Sequence, residues 1–328
     1  MALTTADLID DICIRGSVTR ADVTSLQRSL DEQTAIDATD IDALIRIEHT
    51  TQQQDASWQP LLIDATTDFL VNDMIPTGYV TAANARWLVE RVAPRGRIET
   101  LGLFNVVVAV LEKARWAPES LAQLALEQVK TAIITGQGPL RRGQDATTAG
   151  QITVDDVATI RRILLAFGGD GRIAVTRREA DVLFDIEDAT ANVSQPAEWQ
   201  ELFMKATASV VLATSGYTVP SRQAALQSER LTCGPDHLRP ENFIAQLTSA
   251  YAQPTTEGRA LARLERQRFE IITNEEASSA DATWLTERIL RNQKATCREL
   301  TLLSYLQREA MPLHPMLQNL VDTARRAA

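Results

Sequence analysis

Two distant stretches of this chain spell nearly the same helix start, and any fold has to satisfy both. Val18-Thr19-Arg20-Ala21-Asp22-Val23 resembles Ile152-Thr153-Val154-Asp155-Asp156-Val157, and each stretch follows a glycine, Gly16 or Gly150. Thr153 ahead of Asp155 and Asp156 has the pattern of an N-cap followed by acids in the first turn. Behind it, Val157, Ile160, Ile163, Leu164 and Phe167 recur at three- and four-residue steps, the spacing of one helix face. The order is then kept further along. Ile47-Glu48 matches Ile186-Glu187, and Trp58-Gln59-Pro60-Leu61 matches Trp199-Gln200-Glu201-Leu202. A later pairing joins Trp87-Leu88-Val89-Glu90-Arg91-Val92 to Trp284-Leu285-Thr286-Glu287-Arg288-Ile289.

These matches predict an all-α protein: an internally duplicated helical bundle of helix-loop-helix units. The first half is expected at 1–136 and the second at 150–328. The polar, glycine-rich 137–149 between them reads as a linker. A finer echo relates Gly96-Arg97-Ile98 to Gly171-Arg172-Ile173, so the elementary unit is expected to be a helical hairpin of about fifty residues. A compact bundle is favoured over an open solenoid. Val106 to Leu111 alone would also suit a buried strand, but its continuation Glu112-Lys113-Ala114 favours helix. Aromatic residues make up only 5%, which agrees with helix over sheet. Trp58, Trp87, Trp199 and Trp284 stand at matching positions and are expected to anchor the core.

The halves differ in one place. Gly78-Tyr79 leads almost directly to Trp87, whereas Gly216-Tyr217 is far from Trp284, which marks an insertion at about 218–275. Pro220, Gly234-Pro235, Pro240 and Pro254 punctuate it. Such an insertion is either a specialised functional element or a cover for extra core.

Bulk properties exclude several classes. The 328 residues carry a net charge of −10, which disfavours binding to a phosphate backbone. The longest apolar run, Leu101 to Leu111, is too short to span a bilayer, so no membrane insertion is expected. Cys13, Cys233 and Cys297 are odd in number and widely separated, which fits a reducing, cytoplasmic location. The acidic start, with Asp7, Asp10 and Asp11, does not read as a secretory signal.

No stretch forms a catalytic motif. Gly169-Asp170-Gly171-Arg172-Ile173 has the glycine and isoleucine of a calcium loop, yet Ala166, Gly168 and Arg177 occupy three required ligand positions. Gly136 to Gly143 lacks the Lys-Ser/Thr ending of a phosphate loop. Cys233 and His237 are separated by Gly234-Pro235, which a regular helical turn does not accommodate. His49, His237 and His314 have no His or Cys neighbour at metal-ligand spacing. Asp37, Asp40, Asp42 and Glu48 form an acid pattern in which Asp37 and Asp40 could share a helix face and chelate a divalent ion, with a solvated face or a helix start as the alternative. Arg259, Arg263 and Arg266 line one face of a predicted helix and could meet an acidic partner. Trp116 has no counterpart in the other half and is a candidate for exposure.

The stretch 157–196, with a helix, Asp170-Gly171-Arg172-Ile173, then Glu179 opening an apolar helix, resembles the TerB-like tellurite-resistance helical domains. That resemblance implies an all-helical, duplicated, cytoplasmic bacterial stress-response protein. It also implies Asp170 and Glu179 as candidates for holding a divalent metal beside the loop. The chain departs from the pattern at Arg95, which stands where Asp170 does. The residues themselves favour a non-enzymatic interaction or scaffold protein that needs no cofactor and whose partner is another protein. An enzyme with a site of dispersed residues is the remaining alternative.

Overall fold

The computed structural model describes residues 5–32, 36–141, 149–166, 175–213, 274–291, 296–309 and 314–327. Their architecture is all-α, with two short parallel strands. The chain divides into two compact units, Met1–Ala149 and Gly150–Ala328. No helix among the described residues is long and apolar enough to cross a membrane.

The first unit runs α1 (Thr5–Arg15), α2 (Arg20–Asp31), α3 (Ala38–Thr50), α4 (Trp58–Asp68), α5 (Ala82–Val92), α6 (Leu101–Lys113) and α7 (Glu119–Thr135). A π-helical turn, Phe69–Asp73, extends α4. The apolar run that also suited a strand is α6. Its residues Leu103, Phe104, Val106, Val107, Val108, Val110 and Leu111 are all buried. A helix apolar on nearly every side has to be surrounded. Accordingly α6 packs on α4 and α7 and also touches α3. The paired strands, Ser17–Val18 and Gln53–Gln54, tie the turn before α2 to the turn before α4. Gly136 closes α7 with φ +67°, a left-handed conformation that favours glycine. Part of the expected linker folds onto this unit, since Pro139–Arg141 forms a 3₁₀ turn against α6 and α7 with Pro139 buried.

The second unit runs α8 (Val154–Ala166), α9 (Arg177–Thr190), α10 (Ala197–Ala213), α11 (Asn274–Leu290), α12 (Cys297–Glu309) and α13 (Pro315–Ala327). Helix α10 is central and packs on α8, α9, α11 and α12. Phe184 meets Phe203 edge-on at 5.1 Å and Trp284 at 5.8 Å, which links α9, α10 and α11 in one aromatic cluster.

The tryptophans divide into two kinds. Trp58 and Trp199 are fully buried. Trp87 and Trp284 are only half-buried. The Arg91 guanidinium lies 4.1 Å from the centre of the Trp87 ring, and the Trp284 Nε1–H donates to Asp181 at 2.8 Å. Contact with hydrated charged groups holds these two indoles at the rim instead of the centre.

Candidate functional site

In each unit taken by itself, a buried glutamate gathers hydrogen bonds from neighbouring side chains. In the first unit Ile47 and Glu48 sit late in α3, and Trp58 opens α4. The Trp58 Nε1–H donates to Glu48 Oε2 at 2.7 Å, and the Gln54 amide donates to the same oxygen at 2.7 Å. Thr51 then donates to the Ile47 carbonyl at 2.8 Å. Glu48 is 2% exposed, so these donors replace its water. The other carboxyl oxygen lies against the first turn of α6. A β-carbon on Gly102 would stand only 2.4 Å from it, so this close approach requires glycine.

In the second unit Glu187 of α9 is fully buried. Its Oε2 accepts from Trp199 Nε1 at 2.9 Å. Thr190 donates to the Ile186 carbonyl at 2.7 Å. The difference lies at Oε1, which accepts from Arg298 Nη1 of α12 at 2.7 Å and from the Thr296 hydroxyl at 3.4 Å. Arg298 thus faces Glu187 with a charged donor, whereas Glu48 faces the glycine backbone at Gly102.

A second pairing also appears in both units. Arg91 of α5 pairs with Asp42 of α3, with Nη2 to Oδ2 at 3.1 Å. Arg288 of α11 pairs with Asp181 of α9 at 2.7 Å and with Asp185 at 3.2 Å. Burial alone would lower the Arg288 pKa, but the hydrogen bond and charge of Asp181, reinforced by Asp185, raise it.

Three of the four sequence-predicted metal residues, Asp37, Asp40 and Glu179, stand in helix capping boxes. Asp37 does not share a face of α3 with Asp40, because it precedes the helix as its N-cap. Asp37 Oδ1 accepts from the backbone N–H groups of Thr39 and Asp40, and Asp40 Oδ2 accepts from the Asp37 N–H at 3.0 Å. Glu179 caps α9 in the same way: its Oε2 accepts from Thr176 N–H at 2.8 Å, and its own N–H donates to Thr176 Oγ1 at 3.2 Å. An acid three residues past an Asp or Thr matches a capping box as well as a ligand pair, and here the orphan N–H groups take it. Among the described residues, no group of three or more His, Cys, Asp and Glu side chains is arranged to hold a metal ion.

The remaining candidates are scattered. Trp116 is half-buried, and its carbonyl accepts from Val80 N–H at 2.9 Å, which fixes the loop before α5. His49 Nε2 is 3.1 Å from the Arg91 carbonyl, and His314 Nδ1 accepts from Met316 N–H ahead of α13. Asp170, Cys233, His237, Arg259, Arg263 and Arg266 lie outside the described residues, as does the insertion apart from Asn274 and Glu275, which open α11. A shallow groove of about 250 Å³ between α4 and α6 is lined by Ile63, Asp64, Thr67, Ala109, Glu112 and Lys113. Its Lys113 rim is tied to Asp68 at 2.8 Å.

Sequence matching had flagged Glu48, Glu187 and the tryptophans as repeat landmarks without assigning them to one another. Arg298 and Gly102 carried no signal, because their role depends on a glutamate on another helix. The arrangement as a whole holds helices together. No protein-family model, curated protein or solved structure matches the chain.

Proposed function

We propose that this chain is a non-enzymatic helical scaffold that binds another protein, made of two copies of one six-helix module. The copies would be α2–α7 and α8–α13. The observation that carries this reading is where the polar side chains go. Glu48 and Glu187 hold Trp58 and Trp199, and Asp42 and Asp181 hold Arg91 and Arg288. Thr19 with Asp22, and Thr153 with Asp156, cap the first helix of each module. Groups that an enzyme would aim at a substrate are committed to fixing helix against helix. A frame that rigid suits the presentation of a surface.

The modules differ most between their third and fourth helices. Residues 69–81 occupy that place in the first copy, and residues 214–273 in the second. On this reading the longer connection is the element that selects the partner. A reducing, cytoplasmic compartment agrees with the free thiols of Cys13 and Cys297.

Crosslinked affinity capture with the full chain tests the proposal, run beside a chain lacking residues 220–270. The full chain is expected to recover a partner in stoichiometric amount, and the shortened chain to lose it. Absence of any stoichiometric partner overturns the scaffold role. Retention of the partner by the shortened chain moves the binding surface onto the helices.

A further inference from the structure

The groove between α4 and α6 gathers polar groups that the helical frame does not use. Its walls are Ile63, Asp64 and Thr67 from α4 and Ala109, Glu112 and Lys113 from α6. These positions recur at three- and four-residue steps, so one face of each helix borders the groove. At about 250 Å³ it is smaller than the roughly 300–1,000 Å³ of a site for a drug-sized ligand, and it suits a single side chain.

The charge there is unbalanced. Lys113 Nζ is held by Asp68 at 2.8 Å, and Asp68 also accepts from the Asn72 amide at 2.9 Å. Asp64 and Glu112 add two further carboxylates to the same walls, and Asp64 is exposed. Three acids thus stand beside one ammonium, a field that attracts a cation.

Thr67 is an independent sign of a ligand. It is 1% exposed, and its Oγ1 is buried with no hydrogen-bond partner among the described residues. Other helical threonines turn the hydroxyl back on the preceding turn. Thr24 donates to the Arg20 carbonyl at 3.0 Å, and Thr131 donates to the Glu127 carbonyl at 2.8 Å. Buried hydroxyls are normally satisfied, so one left open on a groove wall points to a polar group that enters from outside. Thr66 beside it is also unpartnered but does not line the groove.

We propose that the α4–α6 groove takes an arginine side chain of the partner protein, its methylene stem along Ile63 and Ala109 and its guanidinium among Asp64, Glu112 and the Thr67 hydroxyl. This rests on the scaffold reading and names the chemistry of the partner which that reading requires. The choice of arginine follows from the acceptors. Two carboxylates and a hydroxyl call for several N–H groups on one head, and the planar guanidinium carries five in a fork that matches carboxylates. Its stem is apolar and lies along apolar walls while the head stays polar. A metal ion suits the groove less well. Among the described residues no group of three His, Cys, Asp and Glu side chains is arranged to hold one.

The test is a methyl NMR titration of the full chain, labelled at isoleucine, with the peptide acetyl-Gly-Arg-Gly-amide. The Ile63 signal is identified by its absence from Ile63→Val. The arginine peptide is expected to move that signal saturably. The same peptide with neutral citrulline in place of arginine is expected to leave it still. Asp64→Asn combined with Glu112→Gln is expected to weaken binding about tenfold, through loss of the charged contacts. Thr67→Val, which keeps the shape of the side chain, is expected to weaken it about threefold, through loss of one hydrogen bond. Absence of a saturable shift overturns the proposal, as does an equal response to the citrulline peptide or unchanged binding in the doubly substituted chain. Tighter saturation by magnesium chloride or putrescine hands the groove to a free cation and also overturns it. Affinity capture fails separately: a partner recovered at full yield by the doubly substituted chain keeps the scaffold role and removes the groove from it.

Discussion

Glu48 and Glu187 make the same contact with a tryptophan and differ in what stands behind them. Glu187 faces the Arg298 guanidinium, itself 18% exposed, whereas Glu48 faces the bare backbone at Gly102. Removing one member of a buried ion pair strands the other charge and costs about 3–5 kcal/mol. Removing an acceptor from neutral donors leaves them unsatisfied and costs about 1–3 kcal/mol. Glu187→Ala is therefore expected to destabilise its unit more than Glu48→Ala does, as read from urea midpoints monitored by tryptophan fluorescence. An equal or larger loss in Glu48→Ala would mean that Arg298 contributes nothing beyond its bulk. Half of this was legible in the sequence. The Ile-Glu and Trp-Gln landmarks stood out because both stretches of sequence spell them. Gly102 and Arg298 did not, since a glycine and an arginine share no sequence pattern and each takes its role from a glutamate on another helix.

At the scale of the element, helix starts were the most readable feature. Thr153 followed by Asp156 was expected as a cap, and the pair closes it reciprocally, with Thr153 N–H donating at 2.8 Å and Thr153 Oγ1 accepting at 3.1 Å. At Asp37 and Asp40 the sequence left a metal site and a helix start both open, because short acids three apart suit two purposes, and the backbone geometry places them at a helix start. These caps carry measurable energy. Thr153→Ala is expected to cost about 1 kcal/mol. Asp22, the partner of Thr19, adds a pH signature. Burial alone would push its pKa up, but hydrogen bonds from the Thr19 hydroxyl and backbone, together with Arg15, hold it below the ordinary 3.8. A lowered folded value means that the stabilisation is present above 3.8 and is lost as pH falls through the folded value. Asp22→Asn is expected to lower the unfolding midpoint at pH 6, and the gap to the unaltered chain should narrow below pH 3.8. A gap that does not change with pH would show that Asp22 acts through shape alone.

Across the whole molecule the two units, Met1–Ala149 and Gly150–Ala328, solve one packing problem with different electrostatics. The helical architecture was readable because apolar periodicity is local. The ion pairs of the second unit were not, because Arg177 with Asp281 and Arg298 with Glu187 join residues on helices far apart in sequence. If the two units are copies, as proposed, the first carries Ala38, Asn84, Gly102 and Leu103 where the second carries Arg177, Asp281, Arg298 and Glu299. Its interior still holds the carboxylates of Glu48 and Asp22, around an α6 that is buried on nearly every side. Asp22, paired with Arg15 and held below 3.8, stays ionised across neutral pH, so it gives this unit no reason to respond to pH there. The fragment 1–149 is therefore expected to fold alone, with helical circular dichroism and one cooperative urea transition whose midpoint stays constant between pH 6 and 8. In the full chain a second transition, belonging to residues 150–328, is expected to move to lower urea over the same interval as Glu299, whose carboxyl burial raises from 4.5 to about 7, ionises. A fragment that unfolds without cooperativity, or two transitions that shift together with pH, would show that the first unit does not fold and respond to pH independently of the second.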